Sequence, residues 1–133
     1  MYRVGGRLPL HATGVGRVLL AFAPPALQEE VLSHPLQIQP ERITLSPRDL
    51  RTQLAAVRWQ GTSTMSRALP EPMTSVAAPI RESTGQVIAA MSVVSSTAKR
   101  ATSCRPALVA VALAVSRALA RSGTRVDQDS ALR

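Results

Sequence analysis

The sequence predicts an α+β fold in which an antiparallel β-sheet is flanked by helices. Three observations carry this. Residues 73–80 and 86–94 are apolar runs of strand length joined through Arg81-Glu82-Ser83-Thr84-Gly85, a segment suited to a hairpin turn. Helical segments with legible starts and stops lie before and after these runs. The order is short strands, three helices, three strands and a closing helix.

Taken in order, residues 2–4 and 7–10 read as extended. Thr13 is a good N-cap for a helix running to Ala23, where Pro24-Pro25 stops it and opens a second helix over 27–32. His34-Pro35 ends that helix, and 37–44 reads as a polar connection. Ser46-Pro47-Arg48-Asp49 is a strong helix start: a capping serine, proline at the first helical position and an acid at the third. Leu50, Leu54 and Val57 follow at helical spacing, with the Arg58 stem, and Gly61 closes the helix after Trp59. Residues 62–66 are polar and β-prone, and the two apolar strands follow. The last element is an Ala/Leu/Val-rich helix over 106–121, with 122–133 as a frayed end.

At 133 residues the chain fits one domain able to bury a single core without disulfides or metals. Aromatic residues make up 2%, so the core must be aliphatic, and the composition argues against a stacking platform for single-stranded nucleic acid. Cys104 is the only cysteine, which rules out an internal disulfide and a cysteine-based zinc site and fits a reducing, cytoplasmic setting. No run is apolar and long enough for a membrane span, and the first residues lack the layout of a signal peptide. The net charge of +8 raises the question of nucleic acid. The arginines are scattered from Arg3 to Arg133 and lysine is almost absent, so we read no phosphate track in this chain. No spaced catalytic pair, metal-ligand set, cofactor motif or phosphate loop appears, which argues against an enzyme.

The most informative stretch is 8–21. An extended approach passes Thr13, Gly14 and Gly16 directly into an apolar helix, whose free first-turn amides and positive dipole end suit a small anion. Both glycines leave the backbone open to close approach. Alternation on the second apolar strand puts Ile88, Ala90, Ser92 and Val94 on one face, and the first strand puts Ser75, Ala77 and Pro79 together. Two hydroxyls and an amide turn facing an apolar space are the few convergent polar groups that a small-molecule pocket needs. Each has a plainer reading: Ser75 and Ser92 as small core residues, His11 as a turn cap, His34 as a surface helix end. Cys104 reads as inert, and Met65, Met73 and Met91 as core filler.

The segments LPLHATGVGRVLLA, ITLSPRDLRTQLAAVRWQG and TSVAAPIRESTGQVIAAMSVVSS, with the closing helix, resemble the C-terminal effector-binding domain of the IclR family of bacterial transcription regulators. The resemblance implies a GAF-like domain over 1–121, with 122–133 a flexible tail and the family's N-terminal winged helix-turn-helix outside this sequence. It implies a small carboxylate effector, DNA contact only through that other domain, and assembly as a dimer or tetramer. By the same resemblance, Gly14 and Val15 are the amides that meet the carboxylate and Leu8 is an apolar wall. Ser75 and Ser92 are the ligand-facing hydroxyls. Met65 and Val94 stand where family members carry polar groups, Arg67 and Ala68 replace an acidic pair, and Pro72 replaces a glycine. Such a site should favour a bulkier, apolar or aromatic acid. A ligand-free oligomerisation module or a degenerate truncated fragment is the other reading left open.

Overall fold

The computed structural model describes residues 5–131, with side chains up to Ser122. The predicted strand at 2–4 lies outside the described residues. The other predicted extended segment, 7–10, joins no strand: Pro9 is extended, and from Leu10 the chain tightens into a 3-10 turn over Leu10–Ala12, held by the Ala12 N–H on Pro9 O. His11 fixes that turn, its Nε2–H donating to Gln37 O at 2.7 Å.

Helix α1 spans Gly14–Ala21 with Thr13 as its cap, the hydroxyl accepting from the Gly16 amide at 3.0 Å. Helix α2 is Pro25–Leu32, and the Gln28 side-chain amide reaches back to the carbonyls of Leu20, Ala21 and Ala23. With the Ala23 amide on Leu20 O and the Arg58 guanidinium on Ala21 O, it helps satisfy the carbonyls at the end of α1 where the prolines stop it. The expected polar connection at 37–44 is instead a small antiparallel ribbon, β1 (Gln37–Ile38) with β2 (Ile43–Thr44), which tucks Leu36 and Ile38 inside. Helix α3, Pro47–Gln60, has the predicted ends: Ser46 accepts from the Asp49 amide, and Gly61 at φ 73° donates to Val57 O. Its inward stripe is Leu50, Leu54 and Val57.

Strands β3 (Ser63–Arg67), β4 (Met73–Arg81) and β5 (Val87–Ser95) form an antiparallel sheet in that order, with β4 in the middle. A short helix α4, Ala98–Ser103, was not anticipated; Thr97 caps it through the Arg100 amide. Helix α5 begins at Arg105, and its backbone stays helical to Ala131, past the predicted end at 121. None of the described helices is long and apolar enough to cross a membrane.

Alternation along β4 divides the interior in two. Ala77 faces a core made by Val18 and Leu20 of α1, Leu32 and Leu36, and the α3 stripe. Val76 and Ala78 face a second core with Ala101, Leu108 and Ala112, flanked by Met91 and Val93 of β5. Alanine on both sides of the contact lets α4 and α5 lie close to the sheet without aromatic bulk. Arg81 ties the layers at the strand's end: its guanidinium lies 4.7 Å from the Phe22 ring centre, and its amide donates to Ser116 Oγ on α5.

Gly16 has a different role from the open approach expected of it. A Cβ there would collide with the Leu10 backbone and the Thr13 hydroxyl, so the glycine is what allows the 3-10 turn to fold onto α1. Gly16→Ala should destabilise the protein by about 1–3 kcal/mol through forced overpacking, although alanine is the better helix former by about 1 kcal/mol. Urea unfolding checks this through a lower midpoint at unchanged slope.

Candidate ligand-binding site

The first turn of α1 ends against β4. A Cβ on Gly14 would lie 2.6 Å from Ser75 Oγ and 3.6 Å from the Ala77 Cβ, so the glycine lets the helix start stand against the sheet without displacing the Ser75 hydroxyl. The Arg17 amide takes Thr13 O and the Gly16 amide takes Thr13 Oγ1. The amides of Gly14 and Val15 remain the uncommitted donors of the turn, at the positive end of the helix dipole.

Between this turn and the sheet is a cavity of about 210 Å³. Its helix wall is Leu8, Ala12, Thr13, Gly14 and Val15. The sheet wall follows from the register, in which Met65, Ser75 and Val94 form one row across the three strands and Ala77 pairs with Ser92 in the next. One further row out, Arg67 pairs with Met73, and both face the same space. All seven residues singled out in the sequence, Leu8, Gly14, Val15, Met65, Ser75, Ser92 and Val94, therefore surround one cavity. Ser75 and Met65 are half-buried, whereas Ser92, Val94 and Leu8 are exposed along its open side.

The sequence reading missed Arg67 as a lining residue, having taken it only for a loop substitution. Strand alternation held the signal, because Arg67 shares a face with Met65 two residues before it. Met73, read as core filler, also lines the cavity, as does Ala12. His11 does not line it, since its ring is committed to Gln37 O. His34 closes α2 by bonding Glu30 O, and Cys104 sits half-buried at the junction of α4 and α5. Among the described residues, no three His, Cys, Asp or Glu side chains converge in a way that could hold a metal ion.

The cavity is smaller than a drug-sized pocket, mostly apolar, and carries a few polar groups of mixed kind: the serine hydroxyls of Ser75 and Ser92, the Thr13 hydroxyl that caps α1, two helix amides and one guanidinium. It suits a compact organic acid better than a chain-like or polymeric ligand. A helix start closing on the face of a small antiparallel sheet, with a second helical layer behind, makes this an α+β domain with a cavity of the small-molecule-binding kind; the family match makes its class the C-terminal domain of bacterial transcription regulators.

The chain belongs to the IclR family, matching the family model for the bacterial transcriptional regulator IclR C-terminal domain over residues 1–121. It is 36% identical over 91 residues to the Pca regulon regulatory protein of Pseudomonas putida, covering 68% of this chain and 31% of that protein. A transcriptional regulator from a Rhodococcus species superposes with a TM-score of 0.80 at 30% identity, covering 91% of this chain and 51% of that one. An IclR homologue from Microbacterium hydrocarbonoxydans, solved with 4-hydroxybenzoate, gives 0.71 at 35% identity, covering 92% and 50%. The chain thus spans about a third to a half of the relatives it matches, and these relatives are regulators, not enzymes.

The Gly14–Ser75 approach is testable by itself. Gly14→Ala should push the Ser75 hydroxyl aside, and adding Ser75→Ala should relieve it, leaving only ordinary contacts of 3.5–3.6 Å. A double-mutant cycle in urea should show coupling of about 0.5–1 kcal/mol in the relieving direction.

Proposed function

We propose that this domain binds a small carboxylate effector with a bulky apolar or aromatic body, and so adjusts DNA binding by a separate winged helix-turn-helix domain. The observation that carries the reading is the cavity that joins the α1 amides to the Met65–Ser75–Val94 row. In this reading the carboxylate accepts from the amides of Gly14 and Val15, and the body lies against Leu8, Met65 and Val94. Ser75 and Ser92 bond a ring or chain substituent. The 4-hydroxybenzoate carried by the Microbacterium homologue supports the class of ligand. A buried carbonyl or hydroxyl left unpaired beside Met65 would cost about 1–3 kcal/mol, which disfavours the smallest keto acids.

The same reading makes the domain a subunit of a dimer or tetramer, and the exposed apolar side chains Val111, Leu113 and Leu119 on α5 support that. Light scattering on the purified chain measures it directly.

Thermal unfolding against benzoates, dicarboxylates and small keto acids tests the ligand class. A benzoate-type acid at about 100 times its dissociation constant should stabilise by about 2.7 kcal/mol, a rise of several degrees. Ser92→Leu should abolish the rise while leaving cooperative melting intact. Micromolar binding of glyoxylate or pyruvate would refute the apolar-acid reading. Silence toward every acid would favour the oligomerisation module.

Arg67 gives a second check. Its charge stands at the end of the cavity, so Arg67→Met should weaken any bound acid by about 10- to 100-fold, in line with the 1.5–3 kcal/mol of a hydrogen bond to a charged group. Calorimetric titration of wild type and variant reads this.

A further inference from the structure

A second cavity, of about 140 Å³, lies on the other side of α1, between that helix, α3 and the start of β3. It shares no lining residue with the first. Its lining includes Arg17 of α1, Gln53 and Gln60 of α3, and Thr62 and Ser63 leading into β3.

Arg17 is the unexpected resident. Its side chain is only 8% exposed, and burial lowers its pKa from the ordinary arginine value. Its Nε–H donates to His11 O at 2.9 Å. Among the described residues that is the only hydrogen bond of the side chain, and the ion pair found is Arg51 with Glu29, on the surface. A guanidinium carries five N–H donors, so four remain without a protein acceptor. The terminal nitrogens are not among the buried atoms that lack a partner, so they keep contact with solvent at the cavity, and no carboxylate lies within ion-pair distance of them among the described residues.

Two further groups at the same cavity are incomplete. Thr62 is 3% exposed and its Oγ1 has no partner, and Gln53 Oε1 is likewise buried and unbonded. The three needs are complementary. Arg17 wants an anionic acceptor, the Thr62 hydroxyl can donate to one, and Gln53 Oε1 wants a proton donor. A fully ionised sulfate offers acceptors alone. A monoprotonated phosphate offers both acceptors and one O–H.

We propose that this cavity is a second ligand site, separate from the effector cavity, that binds a phosphate group through Arg17, Thr62 and Gln53. Arg17 takes two phosphate oxygens with its terminal nitrogens, Thr62 donates to one of them, and the phosphate O–H donates to Gln53 Oε1. An occupant here ties α1 to α3 and β3 from behind the effector cavity, on the same helix whose first turn frames that cavity.

Isothermal titration with inorganic phosphate, in chloride buffer of matched ionic strength, tests the site, with sulfate and glycerol 3-phosphate as parallel arms. Saturable phosphate binding, at least about tenfold tighter than sulfate, is expected. Thr62→Val keeps shape and removes the hydroxyl, so it should weaken phosphate by about tenfold. Arg17→Met should abolish binding, and Arg17→Lys, which keeps charge without the fork, should retain a weakened response if the methionine variant does not fold. Ser92→Leu should leave phosphate binding unchanged, which separates this site from the effector cavity and keeps its fate independent of that reading. Tighter binding of glycerol 3-phosphate than of inorganic phosphate would identify the source as a phosphomonoester, and the reverse as the free ion. No saturable phosphate response, equal affinity for sulfate, or indifference to Thr62→Val would each overturn the proposal.

Discussion

The closeness of α1 to β4 is the constraint on which the rest of the structure depends. Gly14 brings the helix start against Ser75 and Ala77, and Gly16 lets the preceding turn fold back onto the helix. A Cβ at Gly14 would press on the Ser75 hydroxyl and one at Gly16 on the Leu10 backbone, in the helix that seats Val18 and Leu20 in the interior and frames the cavity. Stability and site geometry therefore rest on the same two missing side chains, one used for the sheet and the other for the turn.

Much of this was legible in the sequence, for identifiable reasons. Helix α3 carries its signals in adjacent residues, Ser46, Pro47 and Gly61, and local capping chemistry places its ends. The β4–β5 hairpin has strict alternation and a turn with Gly85 at φ 86°, so the faces of Ser75 and Ser92 follow directly. Hydrogen bonds between distant parts of the chain leave no such local mark. The ribbon of β1 and β2 is only two residues per strand, and it is held beside the 3-10 turn by His11 across 26 positions of sequence.

The site was legible in its apolar and hydroxyl parts and not in its charge. Arg67 lies at the end of a polar strand, where arginine usually reads as solvated surface; its place on the cavity depends on pairing with Met73 through the β3–β4 register. Arg17 is harder still, because a charged residue between Gly16 and Val18 fits the exposed side of a helix in any pattern analysis. The backbone of His11, in the turn before α1, draws it inward. In a chain of net charge +8 the informative arginines are the few that the fold encloses.

β4 is a partition with both surfaces in use. Ala77 belongs to one core, Val76 and Ala78 belong to the other, and Arg81 is gripped from both sides by Phe22 and Ser116. Such a wall is one backbone thick and has no slack, since tightly packed interiors transmit strain instead of absorbing it. Ser75 lines the cavity and its neighbour Val76 packs with Leu108 and Ala112 of α5, so a single thickness of backbone separates the cavity from the long helix.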